Sequence, residues 1–237
     1  MRKVVIVVAV ASVGVALAQS ASAADLAAAP IYKSPPPPPA FSWTGFYIGA
    51  NGGGGWGQTS HTTDPTSVLS FTTGNFNTSG GLAGGTFGYN YQTGPWVLGA
   101  ETDLDWADIK GTKTYSDAID DVPASFSHSS ELMWLDTTRA RVGWAYDRVL
   151  FYGTAGAAFG GVQTNRNASI ALLDPARSDT ETRFGWTAGG GIEWAFLNNF
   201  SAKVEYLYVD LGSQTQMLDD SVKFNANIVR AGLNVKF

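Results

Sequence analysis

Eight stretches of alternating apolar and polar residues, joined by connections that run long and short in strict turn, predict an all-β fold. The expected architecture is an eight-stranded antiparallel up-and-down transmembrane β-barrel with short periplasmic turns and long extracellular loops. Three observations carry this. The period of two sends neighbouring side chains to opposite faces of each strand. The connections segregate by length, as in bacterial outer-membrane barrels of even strand number. Aromatic residues bracket single strands, Trp96 with Trp106, Phe151 with Phe159 and Trp186 with Trp194. That placement suits two interfacial girdles, whereas a sandwich core would gather its aromatics at mid-strand.

In chain order, the first strand spans Thr44 to about Gly57, with Phe46, Ile48 and Ala50 opposed to Tyr47, Gly49 and Asn51. Gln58–Asn75 is polar, holds Asp64-Pro65 and reads as a loop. The second strand, Asn77–Tyr91, sets Ala83, Phe87, Tyr89 and Tyr91 on one face, and Thr93-Gly94-Pro95 turns the chain. The third, Trp96–Ala107, opposes Trp96, Leu98, Ala100, Leu104 and Trp106 to Glu101, Asp103 and Asp105. Asp108–Ser130 reads as a second polar loop. The fourth strand, Leu132–Tyr146, opposes Ala140, Val142, Trp144 and Tyr146 to Arg139 and Arg141, and Asp147-Arg148 is its turn. The fifth, Val149 to about Gln163, opposes Phe151, Ala155 and Phe159 to Tyr152 and Thr154; Thr164–Thr180 is the third loop. The sixth, Glu181–Phe196, opposes Phe184, Trp186, Ile192 and Trp194 to Arg183 and Glu193, with a turn at Leu197-Asn198-Asn199. The seventh, Phe200–Leu211, opposes Val204, Tyr206 and Tyr208 to Lys203 and Glu205. A loop around Gly212–Ser221 leads into the eighth, Val222–Phe237, where Val229, Ala231, Leu233, Val235 and Phe237 alternate with Arg230, Asn234 and Lys236. The apolar row of each strand is expected to face lipid.

Composition agrees with a membrane sheet. Charged residues make up only 15% of the 237 and aromatics 13%, against roughly a quarter charged in soluble chains. With no cysteine there is neither a disulfide framework nor a thiolate metal site. A net charge of -5 gives no support to a nucleic-acid partner. Residues 1–23 read as a secretory signal, with Arg2 and Lys3 before an apolar run and cleavage after Ala23. The run is shorter than the roughly 20 residues a helical span needs. Residues 24–42, with Pro35–Pro39, read as a stiff polyproline II linker, and 43–237 as the barrel.

Ten charged residues fall on the inner face: Glu101, Asp103, Asp105, Glu193 and Glu205 against Arg139, Arg141, Arg183, Lys203 and Arg230. Eight strands leave an interior that side chains can just fill, so these charges are expected to pair, plug the lumen and fix strand register. The alternative is a charge-lined, low-conductance pore. Gly52, Gly54 and Gly57 match a dinucleotide-binding spacing, but no helix follows to meet a phosphate. The two histidines, His61 and His128, fall in expected loops; a metal or haem site would need both, with carboxylates such as Asp64 or Asp120. His128 with Ser129 and Asp121 is the only hint of a hydrolytic triad. Neither pattern carries a site, and no cofactor, metal or catalytic residue is expected.

The stretches ADLAAAP (24–30), WTGFYIGANGGGGWG (43–57), VEYLYVDLG (204–212) and NIVRAGLNVKF (227–237) resemble the small outer-membrane β-barrel family of alpha-proteobacteria, the outer-membrane immunogenic or opacity-like porin proteins. The resemblance implies an eight-stranded barrel at the cell surface with structural and antigenic roles; some such proteins are described as porins and others as haemin binders. It also implies that Phe237 is the terminal aromatic read by the barrel-assembly machinery. The expectation is therefore a non-enzymatic, integral outer-membrane protein whose partners are membrane lipid and that machinery. A small-solute porin and loop-mediated haem or ligand binding are the alternatives.

Overall fold

A computed structural model describes residues 41–62, 74–119, 122–168, 177–216 and 220–237. Eight strands follow in order: β1 Gly45–Thr62, β2 Gly74–Thr93, β3 Trp96–Ile119, β4 Val122–Tyr146, β5 Val149–Ala168, β6 Arg177–Trp194, β7 Phe200–Gln216 and β8 Asp220–Lys236. Each pairs antiparallel with its neighbour in sequence, and β8 returns to β1, so the sheet closes into a barrel. The closing register runs from Tyr47 opposite Lys236 to Thr62 opposite Ser221. The signal sequence with Ala23, and all of the linker but Phe41 and Ser42, lie outside the described residues. So do Asp64, Asp120, Asp121 and the side chains of both histidines.

The short turns stand where the sequence puts them, at Gly94-Pro95, Asp147-Arg148 and 195–199. The long connections are more ordered than expected. Asp108–Ser130 is not an irregular loop but the far half of a hairpin, with Lys110 opposite Glu131 and the ladder continuing to Ile119 opposite Val122. The strands outrun their alternating patterns because, beyond the membrane, both faces of a hairpin meet water. Alternation is then no longer selected, and Thr- and Ser-rich sequence pairs as well. The other strands reach past their expected ends at this side for the same reason. β6, in contrast, stops at Trp194 rather than Phe196.

The outward rows are those the alternation marks. Phe46, Ile48, Leu104, Val142, Phe184, Trp186, Val204 and Leu233 are all exposed on the barrel's outer surface. Aromatics cluster at two levels: Trp96 meets Trp144 edge-on at 5.0 Å near the short turns, and Phe159 meets Phe184 at 5.1 Å near the long hairpins. A girdle of rings at each interface is the arrangement that holds a barrel at fixed depth in a bilayer.

Bulges adjust what faces inward. The β4 bulge between Leu132 and Trp134 turns both Leu132 and Leu135 into the lumen. Another, between Asp210 and Ser213, uses Gly212 at φ +67°, a left-handed conformation that a side chain would strain. The β6–β7 ladder is the shortest, running only from Trp186 opposite Asp210 to Trp194 opposite Ala202.

The exposed row on β4 yields a direct test of the lipid face. Val142, 49% exposed, faces outward two residues inside the Trp144 ring. A charge costs about 2–4 kcal/mol at the midplane and less near an interface, so Val142→Arg is expected to cost about 1–2 kcal/mol and to lower the fraction of heat-modifiable, folded barrel. Assembly equal to wild type would place this face away from lipid.

Candidate functional site in the barrel lumen

Inward parity alone brings charge into the barrel, because β3, β4, β6, β7 and β8 each turn one or more ionised side chains to the same side. Eight strands leave an interior that side chains can just fill. Glu101, Asp103, Asp105, Arg139, Arg141, Glu193, Lys203, Glu205 and Arg230 are all 3% exposed or less.

Arg139 is the hub. Its Nη2 meets Glu101 at 2.5 Å and also pairs with Asp103, while Nη1 donates to Glu205 at 2.9 Å. Arg230, directly opposite Glu205 in the β7–β8 ladder, donates to it from Nε at 2.9 Å. Its Nη atoms reach Asp103 at 2.8 Å and Asp105 at 2.7 Å. Lys203 bridges Glu101 at 2.9 Å and Glu205 at 3.4 Å. Arg141 pairs with Glu193 and stacks its guanidinium over the Tyr152 ring, 3.7 Å from the centroid. Several of these links cross the lumen, since β3 carboxylates meet Lys203 of β7 and Arg230 of β8.

Neutral groups complete the set. The Tyr47 hydroxyl donates to Glu101 at 2.8 Å and accepts from Arg141 at 3.2 Å. Thr86 donates to Asp103 at 2.6 Å and Thr137 at 3.2 Å; Ser201 and Asn234 donate to Glu193 at 2.5 and 2.8 Å. Gly84 lies between Asn51 and Asp105 on neighbouring strands, and a Cβ there would strike the Asp105 carboxylate and the Leu104 carbonyl. Glycine at that point gives the carboxylate its room.

Arg183 also turns inward. It is buried on β6 opposite Gly160, and its guanidinium lies 3.8 Å from Glu181 on its own strand.

Two apolar layers enclose the network, and alternation scoring alone did not expose them. Toward the long hairpins, Leu82, Ile109, Leu132, Leu135, Leu207, Leu211, Phe224 and Ile228 pack together in the lumen. Toward the short turns, Trp43, Val97, Ala145, Leu150, Tyr152 and Ala195 form a second cluster, with Phe41 against it. A faint signal was present in Tyr206-Leu207-Tyr208-Val209, where both faces of one strand are apolar, as in a strand covered on both sides. The glycine triplet Gly52, Gly54 and Gly57 lies within β1, in extended strand rather than a phosphate-holding turn.

A family model for an outer membrane protein beta-barrel domain matches residues 8–237. The chain is 36% identical over 241 residues to the 31 kDa outer-membrane immunogenic protein of Brucella melitensis biotype 1, covering 96% of this chain and 98% of that one. It is 33% identical over 209 residues to the 22 kDa outer membrane protein of Rhizobium leguminosarum bv. viciae, covering 85% and 82%. Among solved structures, Neisserial surface protein A matches with 16% identity and a TM-score of 0.46, covering 82% of this chain and 98% of that one. The closed eight-stranded sheet, its lipid-facing girdles and these relatives lead to one conclusion: the chain belongs to the outer-membrane β-barrel family that includes the outer-membrane immunogenic proteins, and its place is the outer membrane.

Proposed function

We propose that this protein is a closed barrel with a structural and surface-presenting role, antigenic and envelope-stabilising, and that it catalyses no reaction. The ion-pair network and the apolar layers on either side of it plug the lumen. The supporting observation is that layering. A conducting path needs continuous water, and an apolar constriction dewets. Leu132, Leu135, Leu207 and Leu211, at most 1% exposed, occupy the level an ion would have to cross. A reactant entering from the cell surface would face the same barrier before it met any carboxylate. The relatives' description as immunogenic supports presentation of the long hairpins at the cell surface.

Planar-bilayer recording tests the reading against the porin alternative. Purified wild-type protein is expected to give no discrete unitary currents; stable channels from a single barrel would favour the porin.

The network's role in stability is measurable separately. Arg139→Met leaves Glu101, Asp103 and Glu205 short of their shared cation and is expected to destabilise the barrel by about 3–5 kcal/mol in urea unfolding. Arg139→Lys should recover only part of this, because an ammonium cannot reach three carboxylates with a guanidinium's fork. A loss below about 1 kcal/mol for the Met variant would remove the stabilising role.

Residues 1–23 are proposed to direct export, with cleavage after Ala23, and the proline run to act as a periplasmic spacer. Phe237 is proposed as the assembly signal. It is 76% exposed at the β1–β8 seam, where its backbone N–H donates to the Phe46 carbonyl at 2.9 Å. Deleting Phe237 is expected to reduce assembled barrel in cells several-fold while leaving refolding from urea into detergent intact. An equal loss in both settings would assign the residue to the seam itself rather than to recognition.

A further inference from the structure

The four residues before β1 fold across the end of the lumen that carries the short turns. Trp43 is 2% exposed and packs with Val97, Ala145, Leu150 and Ala195. Its backbone N–H donates to the Gln92 side chain at 2.7 Å, and its indole N–H donates to the Asp147 carbonyl at 3.3 Å. The Thr44 hydroxyl accepts from the Gln92 backbone at 2.9 Å. Phe41 meets Trp43 edge-on at 5.2 Å; the Lys236 ammonium stands 4.4 Å and the Arg148 guanidinium 5.0 Å from its ring centre. Lys236 also donates to the Ser42 carbonyl. The segment is thus tied to three separate places around the mouth: the end of β2, the β4–β5 turn and the end of β8.

Two features set this segment apart from the barrel wall. Its residues are not strand, and the bonds that tie it to the barrel each involve a side chain, those of Gln92, Trp43, Thr44 and Lys236, rather than a backbone ladder. Beside it lies a cavity lined by Trp43, Tyr47, Asn90, Glu193, Ser201 and Lys236, which reaches the inner network at Glu193 and is partly open past the exposed turn at 197–200. A covering held by a few side-chain contacts can open locally while a closed ladder stays intact.

We propose that Phe41–Thr44 is a stopper for the periplasmic mouth. When seated it covers one side of the cavity and restricts access to the Glu193–Arg141 pair; when it lifts, water and small solutes reach that pair but do not cross the barrel. The last clause rests on the closed-lumen reading above, because the outer apolar layer is what halts them.

The chain has no cysteine, so a single introduced thiol reports access without background. Ala195→Cys places the thiol under the stopper, and Leu207→Cys places one in the outer apolar layer. Each is folded in detergent and exposed to a small charged methanethiosulfonate, with heat-modifiable migration verifying the barrel. Ala195→Cys is expected to react slowly alone and about tenfold faster or more when Trp43→Ala or Gln92→Ala is added, with Trp43→Phe keeping it slow. Leu207→Cys is expected to stay unreactive throughout. Equal reactivity of Ala195→Cys in all backgrounds overturns the stopper. A reactive Leu207→Cys overturns the outer seal, and the closed-lumen reading with it, while the Ala195 comparison still decides the stopper. Gln92→Ala loosens the segment without shortening its plug, so the comparison holds if Trp43→Ala does not form a barrel.

Discussion

Inside a bilayer there is no water to satisfy a peptide group, so each backbone N–H and C=O must find a partner within the protein. The pairing of β8 with β1, from Tyr47 opposite Lys236 to Thr62 opposite Ser221, meets that demand by leaving the sheet no edge in the membrane. Everything else follows from closure. A closed sheet has one inside and one outside, so a period of two becomes a division between lumen and lipid. The shortest ladder, β6–β7, ends at Trp186, one of the outward-facing rings near the long hairpins. Beyond that level water can take over the unpaired groups.

Closure with only eight strands creates a second constraint, because the interior is only just wide enough for side chains to fill. A charge placed there must be paired or it is costly. The network answers with guanidiniums that each serve several carboxylates, Arg139 holding three and Arg230 reaching Asp103, Asp105 and Glu205. Hydroxyls and an amide supply further donors. Apolar layers above and below keep water from competing for these bonds, which strengthens them in the low-dielectric interior. The same enclosure supports a structural role rather than a conducting one.

The apolar layers toward the two ends of the lumen are built differently. Toward the long hairpins the layer includes strand residues Leu132, Leu135 and Leu207, each paired in a ladder with a neighbouring strand. Toward the periplasm much of the seal comes from Trp43, on a segment outside the sheet. Stability in a folded protein is local, and a segment without ladder bonds sits at its low end.

Much of the architecture was legible in the amino-acid order. Strand number, strand faces, the short turns and the lipid-facing rows follow from alternation and from Gly, Pro and Asp at the bends, because these are local properties of the chain. Which carboxylate meets which guanidinium was not legible beyond directly opposed residues such as Glu205 and Arg230. Contacts such as Arg139 to Glu205 and Lys203 to Glu101 cross the lumen, and their match depends on the tilt and stagger of the closed sheet. The displacement of Arg183 toward Glu181, the inward turn of both Leu132 and Leu135 at a bulge, and the seating of Trp43 in the mouth were decided the same way. The sequence by itself determined that this chain is a membrane-spanning barrel with charge inside. Only the tertiary structure decided how that charge is paired and sealed, because residues far apart in the chain become neighbours only when the last strand meets the first.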